Sequence, residues 1–248
     1  MTPIIGQRFR NLYDSKSPEP FRVSRSKIEL FSECVRCFYL DRKFGVGRPP
    51  GFPFTLNSAV DTLLKKEFDI HRMRGTRHPL MEAYGLDAVP FNHGMINEWR
   101  ENFKGVQYYH PKTNFIVTGA VDDVWVNPAG ELIVVDYKAT STNAEITLDV
   151  EYRGSYKRQM EIYQWLLRRN GFAVSDTGYF VYANGDKDKE AFDGKLEFKV
   201  QLLSYKGNDS WVEGKLFEIA ECLKTDVLPS ASPRCEYCGY RNAAGKYE

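Results

Sequence analysis

Apolar residues recur along this chain with two periods, near 3.6 and near 2, and the changes between them mark out its elements. From Ser26, the residues Ile28, Phe31, Cys34 and Phe38 fall near one helical face, and Ser26-Lys-Ile-Glu29 has the form of a capping box opening that helix. The run Gly45-Val-Gly-Arg-Pro-Pro-Gly-Phe-Pro53 ends it. A second helix is expected from Asn57 to Ile70, with Val60, Leu63, Leu64 and Phe68 inward. The signal weakens between His71 and Gly94, and a short helix at 95–103 then leads to a strand near 106–109. Period 2 dominates from Gly119 to Lys138, which reads as a hairpin turning at Asn127-Pro-Ala-Gly130. Ser155 to Asn170 is an amphipathic helix stopped by Gly171. Strands follow at 174–182 and 196–203, separated by an Asn184-Gly185 turn and a charged loop. Asp209 is placed to cap a last helix carrying Val212, Leu216, Ile219 and Leu223, and the tail from Pro229 reads as loop. Residues 1–23, with Pro18 and Pro20, lack periodicity and read as an irregular arm. Strands interleaved with helices predict an α/β fold, and the hairpin excludes an all-parallel sheet. No linker interrupts the remainder, so 24–248 reads as one domain.

The hairpin carries candidate chemistry. Alternation puts Asp122, Val124 and Val126 on one face, and Leu132, Val134, Asp136 and Lys138 share a face on the returning strand. A turn centred near Ala129 sets Val126 against Leu132, Val124 against Val134 and Asp122 against Asp136. Two facing carboxylates on an apolar surface repel unless a cation lies between them, and a hard divalent ion suits oxygen ligands. Lys138 projects from the same face and can orient a water or stabilise charge on a phosphate. On the following helix, Gln159 and Tyr163 are one turn apart and share a face.

Composition narrows the setting. A chain of 248 residues, 42% hydrophobic and 14% aromatic, is long and apolar enough to bury a core. No run reaches membrane-spanning length and no secretory signal opens the chain, so a cytoplasmic protein without membrane partners is expected. A net charge of +1 provides no global attraction for nucleic acid, so phosphate contacts must be local. Basic clusters occur at Arg22, Arg25 and Lys27; at Arg36, Arg42 and Lys43; at Arg72, Arg74 and Arg77; and among Arg153, Lys157, Arg158, Arg168 and Arg169. Each reads by itself as a solvated face. Tyr108, Tyr109, Tyr152 and Tyr156 offer rings for stacking bases, or for a core.

Four of the five cysteines form two pairs, Cys34-Val-Arg-Cys37 and Cys235-Glu-Tyr-Cys238. Two such pairs match a tetrahedral zinc site or an iron–sulfur cluster, and spacing does not separate the two. Either metal would staple the two ends of the chain. Cys222 lies beside the apolar stripe of the last helix and reads as a core thiol.

Gly119-x-x-Asp122, Asp136-Tyr-Lys138 and Gln159-x-x-x-Tyr163, in that order, resemble the motifs of the PD-(D/E)XK nucleases. Within that superfamily they are similar to the RecB-like exonucleases, including CRISPR-associated ones. The resemblance implies a mixed central sheet flanked by helices in a restriction-endonuclease-like core, and Mg- or Mn-dependent hydrolysis of DNA. It implies Asp122, Asp136 and the Tyr137 carbonyl as metal ligands, Lys138 acting on the water or transition state, and Gln159 and Tyr163 supporting the site. Such nucleases often carry Gly-x-x-x-His on an early helix. The matching stretch here is Asn57-Ser-Ala-Val-Asp61, which offers the Asp61 carboxylate as a metal ligand instead. The resemblance also implies a four-iron four-sulfur cluster on Cys34, Cys37, Cys235 and Cys238. Relatives divide those cysteines one to three between the chain ends, whereas this chain divides them two to two, so structural zinc stays the alternative. The expected activity is exonuclease action on single-stranded DNA ends, in CRISPR adaptation or DNA repair, with integrase or repair proteins as partners. The competing readings are a nucleic-acid-binding module without catalysis and a sequence-specific endonuclease of the same superfamily.

Overall fold

The computed structural model describes residues 7–51, 54–149 and 153–247. In chain order the elements are β1 (Phe21–Ser24), α1 (Arg25–Glu33), α2 (Val35–Phe44), α3 (Thr55–Arg74), α4 (Pro79–Ala83), β2 (Val89–Pro90), α5 (Ile96–Trp99), β3 (Val106–His110), β4 (Phe115–Gly119), β5 (Asp123–Val126), β6 (Leu132–Thr140), α6 (Gly154–Arg169), β7 (Thr177–Gly185), β8 (Phe198–Lys206), α7 (Trp211–Lys224) and α8 (Glu236–Ala244). The α/β class with mixed sheets flanked by helices is as the sequence predicts. The chain forms two compact units, one from Met1–Phe52, Gln107–Thr118 and Ser210–Glu248, the other from Pro53–Val106 and Gly119–Asp209. No helix among the described residues is long and apolar enough to cross a membrane.

The first unit is organised around a small sheet in the order β1-β4-β3, with β1 and β4 parallel. The strand expected near 106–109 is β3, whereas alternation in β1 and β4 is too brief to announce them, so β1 falls at the end of the expected irregular arm and β4 precedes the expected hairpin. The helix expected from Ser26 is split at Cys34, which is extended (φ −159°, ψ 104°) and serves as C-cap of α1 and N-cap of α2. The capping box does not form. Ser24 occupies the N-cap without a side-chain cap bond, and its Oγ lies 2.9 Å from that of Ser26. The tail is not all loop, since Glu236 in the first turn and Arg241 in the last suit the helix dipole of α8.

The second unit is a five-stranded sheet in the order β2-β5-β6-β7-β8. Its pairs are antiparallel except β6 with β7, which is parallel. One face packs on α3: Leu64 and Phe68 meet Trp125, Ile133, Val135 and Tyr137, and the Phe68 and Trp125 rings stack at 5.2 Å. Alternation turns Val124, Val134 and Asp136 to the other face, which α6 covers. Asn184-Gly185 is not a turn: both residues continue β7 and pair with β8. Asp209 does not cap α7, whose N-cap is Ser210; the Arg168 guanidinium draws the Asp209 carboxylate into an ion pair at 2.6 Å.

Candidate active site and cysteine site

The hairpin turn forms where proline and glycine place it. Gly130 N–H donates to Asn127 O at 2.9 Å with Gly130 at φ +79°, a left-handed conformation that favours glycine. The Asn127 side chain accepts from Glu131 N–H at 2.9 Å and closes the loop. The register is the expected one, Val126 with Leu132 and Val124 with Val134, ending at Asp123 with Val135. One residue further along each strand, Asp122 comes beside Asp136, and Tyr137 N–H donates to Asp122 Oδ2 at 2.9 Å. Asp136 is 0% exposed. Gln159 Nε2 donates to its Oδ1 at 2.7 Å and lies 3.0 Å from the Tyr163 hydroxyl, while Lys138 Nζ forms an ion pair with Oδ2. The ammonium of Lys138 also sits 4.7 Å above the Tyr156 ring, which places that tyrosine at the site. Gly119 explains its own position in the motif: a Cβ there would meet Tyr163 at 2.7 Å and Leu166 at 2.9 Å, so only glycine leaves room for these two α6 side chains.

This arrangement is electrostatically costly without a cation. Burial, with Asp122 alongside, pushes the Asp136 carboxyl up to about 7 even though Lys138 opposes the shift. Burial works to lower the Lys138 ammonium, but the charges of Asp136 and Asp122 outweigh it and its pKa rises. The oxygen donors of Asp122 and Asp136 therefore fit a hard divalent ion, which would relieve the repulsion the protein now balances with lysine.

α3 brings Asp61 to the same place. Its carboxyl is raised by burial and by Asp122, against the pull of Lys65. Lys65 Nζ is 2.8 Å from Asp61 and 3.7 Å from Asp122, so it bridges the two acids. Asn57, at the other end of the same motif, donates to Ala139 O at 3.0 Å and ties the start of α3 to the strand bearing Asp136 and Lys138. Lys65 carries no motif signal; its spacing of four from Asp61 on a helix was the available clue.

A buried network behind the hairpin is likewise invisible to motif reading. Asp123, 0% exposed, accepts from Arg72, from Arg100 Nη2 and the Tyr137 hydroxyl at 2.8 Å each, and from Trp125 Nε1 at 3.3 Å. Burial and the Asp123 charge raise the Tyr137 phenol well above its ordinary value. Arg72 is thus no part of a solvated patch. Arg42 and Arg153 are buried as well, drawn in by the carbonyls of Asn11 and Thr147. Of the other tyrosines, Tyr109 is half exposed and donates to Asn114 Oδ1 at 3.1 Å, and Tyr152 lies outside the described residues.

In the first unit, Cys34, Cys37, Cys235 and Cys238 are all buried, and their sulfurs lie within 4.8 Å of one another. Among the described residues these four side chains form a group of potential ligands close enough to share one metal ion. Cys222 is partly buried, and burial raises its thiol.

The sequence model of the PD-(D/E)XK nuclease superfamily matches residues 22–243. No curated protein matches the chain. Among solved structures, one titled "Crystal structure of SSO0001" is 19% identical over 45% of this chain, at a TM-score of 0.26. The match spans 44% of that protein, a likeness too slight to carry weight.

Proposed function

The chain belongs to the PD-(D/E)XK nuclease superfamily, and from that premise we propose that it is a Mg- or Mn-dependent deoxyribonuclease centred on Asp122, Asp136 and Lys138. The observation that carries the reading is the buried Asp136, flanked by a second acid and held between Lys138 and Gln159. Asp122, Asp136 and the Tyr137 carbonyl would hold the metal, with Asp61 as a further carboxylate from α3. The ion supplies Lewis acidity, lowering the pKa of water and drawing charge from phosphate oxygens. Gln159 fixes Asp136 Oδ1, and Tyr163 fixes Gln159 in turn. Lys138, kept protonated by the two acids and steadied against Tyr156, orients the attacking water and stabilises charge on the phosphate. Hydrolysis joins the water hydroxyl to phosphorus, breaks the bridging P–O bond and leaves the proton on the departing oxygen.

Residues 24–248 would work as one nuclease domain after an N-terminal arm, acting as an exonuclease on single-stranded DNA ends in CRISPR adaptation or DNA repair. The motif resemblance to RecB-like exonucleases supports that narrower reading, as it does a cytoplasmic setting and integrase or repair proteins as partners. Asp136→Ala and Lys138→Ala should each lower metal-dependent DNA cleavage by about a hundredfold or more while the circular dichroism spectrum is kept. Full activity in both variants refutes the assignment. Product mapping distinguishes a ladder from an end, for an exonuclease, from discrete internal cuts. A second reading, DNA binding without cleavage, draws on Lys65, which already supplies a positive charge between Asp61 and Asp122. Tight binding with no cleavage in Mg, Mn or Co would favour it.

A further inference from the structure

The four cysteines sit in a repeated local arrangement. Cys34 is the N-cap of α2 and Cys37 lies three residues on in its first turn, while Cys235 and Cys238 hold the same two positions on α8. In both helices the cap carbonyl accepts the first helical bond, Phe38 N–H to Cys34 O at 3.0 Å and Gly239 N–H to Cys235 O at 2.9 Å. Two helix N-termini thus point their positive ends at one group of sulfurs, an arrangement that favours thiolates.

Further donors surround the sulfurs. Ser232 N–H is 3.5 Å from Cys34 Sγ, and Arg48 Nη2 is 3.6 Å from Cys235 Sγ. Arg48 is held in place by the Tyr237 ring at 4.7 Å and by Glu33 at 2.5 Å. Its charge offsets part of the excess negative charge that four thiolates would leave on a divalent ion.

The separations decide between a single ion and a cluster. Sγ of Cys37 lies 3.5 Å from that of Cys235 and 3.6 Å from that of Cys238, and Cys34 and Cys238 are 3.9 Å apart. A tetrahedral ion with metal–sulfur arms of about 2.3 Å requires edges of about 3.8 Å. A four-iron cubane attaches each thiolate to a different iron, which spreads the sulfurs beyond what a shared ion allows. The cluster implied by the motif resemblance does not fit these separations.

We propose that Cys34, Cys37, Cys235 and Cys238 hold one tetrahedral zinc ion, a closed structural site that joins the α1–α2 segment to α8. The proposal stands independently of the nuclease reading. Its test is metal and acid-labile sulfide analysis of the full chain purified anaerobically from medium containing both iron and zinc. The expected result is one zinc per chain, no sulfide, a colourless protein, and a zinc absorption edge fitted by four sulfurs at about 2.3 Å. Iron with matching sulfide and visible absorption overturns the proposal, as does protein with neither metal. Because a cysteine variant loses the staple, Arg48→Ala serves as the companion test: zinc affinity measured by chelator competition should fall about 10–100-fold. Unchanged affinity removes Arg48 from the site.

Discussion

Asp123 offers the sharpest test of how the hairpin is held. It is fully buried and is shared by two arginines, a tyrosine hydroxyl and an indole, so Asp123→Ala strands two guanidinium groups in the core of the second unit. Asp69 survives the change and keeps its contacts at 2.9 Å to both Arg72 and Arg100, which limits the damage. Removing one partner of a buried ion pair costs about 3–5 kcal/mol. Tyr137→Phe deletes one hydrogen bond to a charged acceptor and little volume, and should cost about 1.5–3 kcal/mol. For a chain of this length each kcal/mol moves the melting temperature by about 2–4 °C, so Tyr137→Phe should lower it by about 3–12 °C and Asp123→Ala by more. The two changes should combine less than additively, since both remove the same hydrogen bond. Each residue adjoins a proposed metal ligand, Asp122 or Asp136, so cleavage should fall alongside stability. Calorimetry of the two single variants and the double variant checks this. Tyr137→Phe melting with the parent protein, or strictly additive losses, refutes the network.

Gly119→Ala pushes a methyl group against Tyr163 and Leu166 and should destabilise by about 1–3 kcal/mol, read by urea midpoint, with cleavage reduced as α6 shifts. Burial raises the Asp136 carboxyl from its ordinary 3.8 to about 7, so its favourable contribution is present below pH 4 and is lost as pH rises through 7. Chelator-treated protein should therefore weaken by up to about 4 kcal/mol between pH 4 and pH 7, and Mg should restore the loss; urea midpoints at pH 5 and pH 8, with and without Mg, test the sign. Lys65→Met removes the cation bridging Asp61 and Asp122, and calorimetric titration should show tighter Mn binding. Asp61→Ala should weaken Mn binding in the same titration, and unchanged affinity removes its carboxylate from the ligand set.

Local pattern was enough wherever a single element carries the information. Strand alternation and a Pro-Gly turn specify the register from Val126 with Leu132 back to the facing acids, because a slip of one residue would turn every apolar side chain of the hairpin to the wrong face. Helical spacing likewise puts Gln159 and Tyr163 on one side of α6. Paired cysteines announce a thiolate site, although not the distances between its sulfurs. Other features depend on partners far apart in the chain. Arg72 reads in sequence as part of a solvated basic cluster, and becomes a core residue because it meets the buried Asp123. Lys65 acquires meaning when α3 lies beside Asp122. The break at Cys34 and the helix at Cys238 bring four sulfurs within the reach of one ion. Pattern expresses what neighbouring residues impose on each other through a shared backbone. Burial, charge balance and metal geometry are set by groups that meet only when the chain has folded.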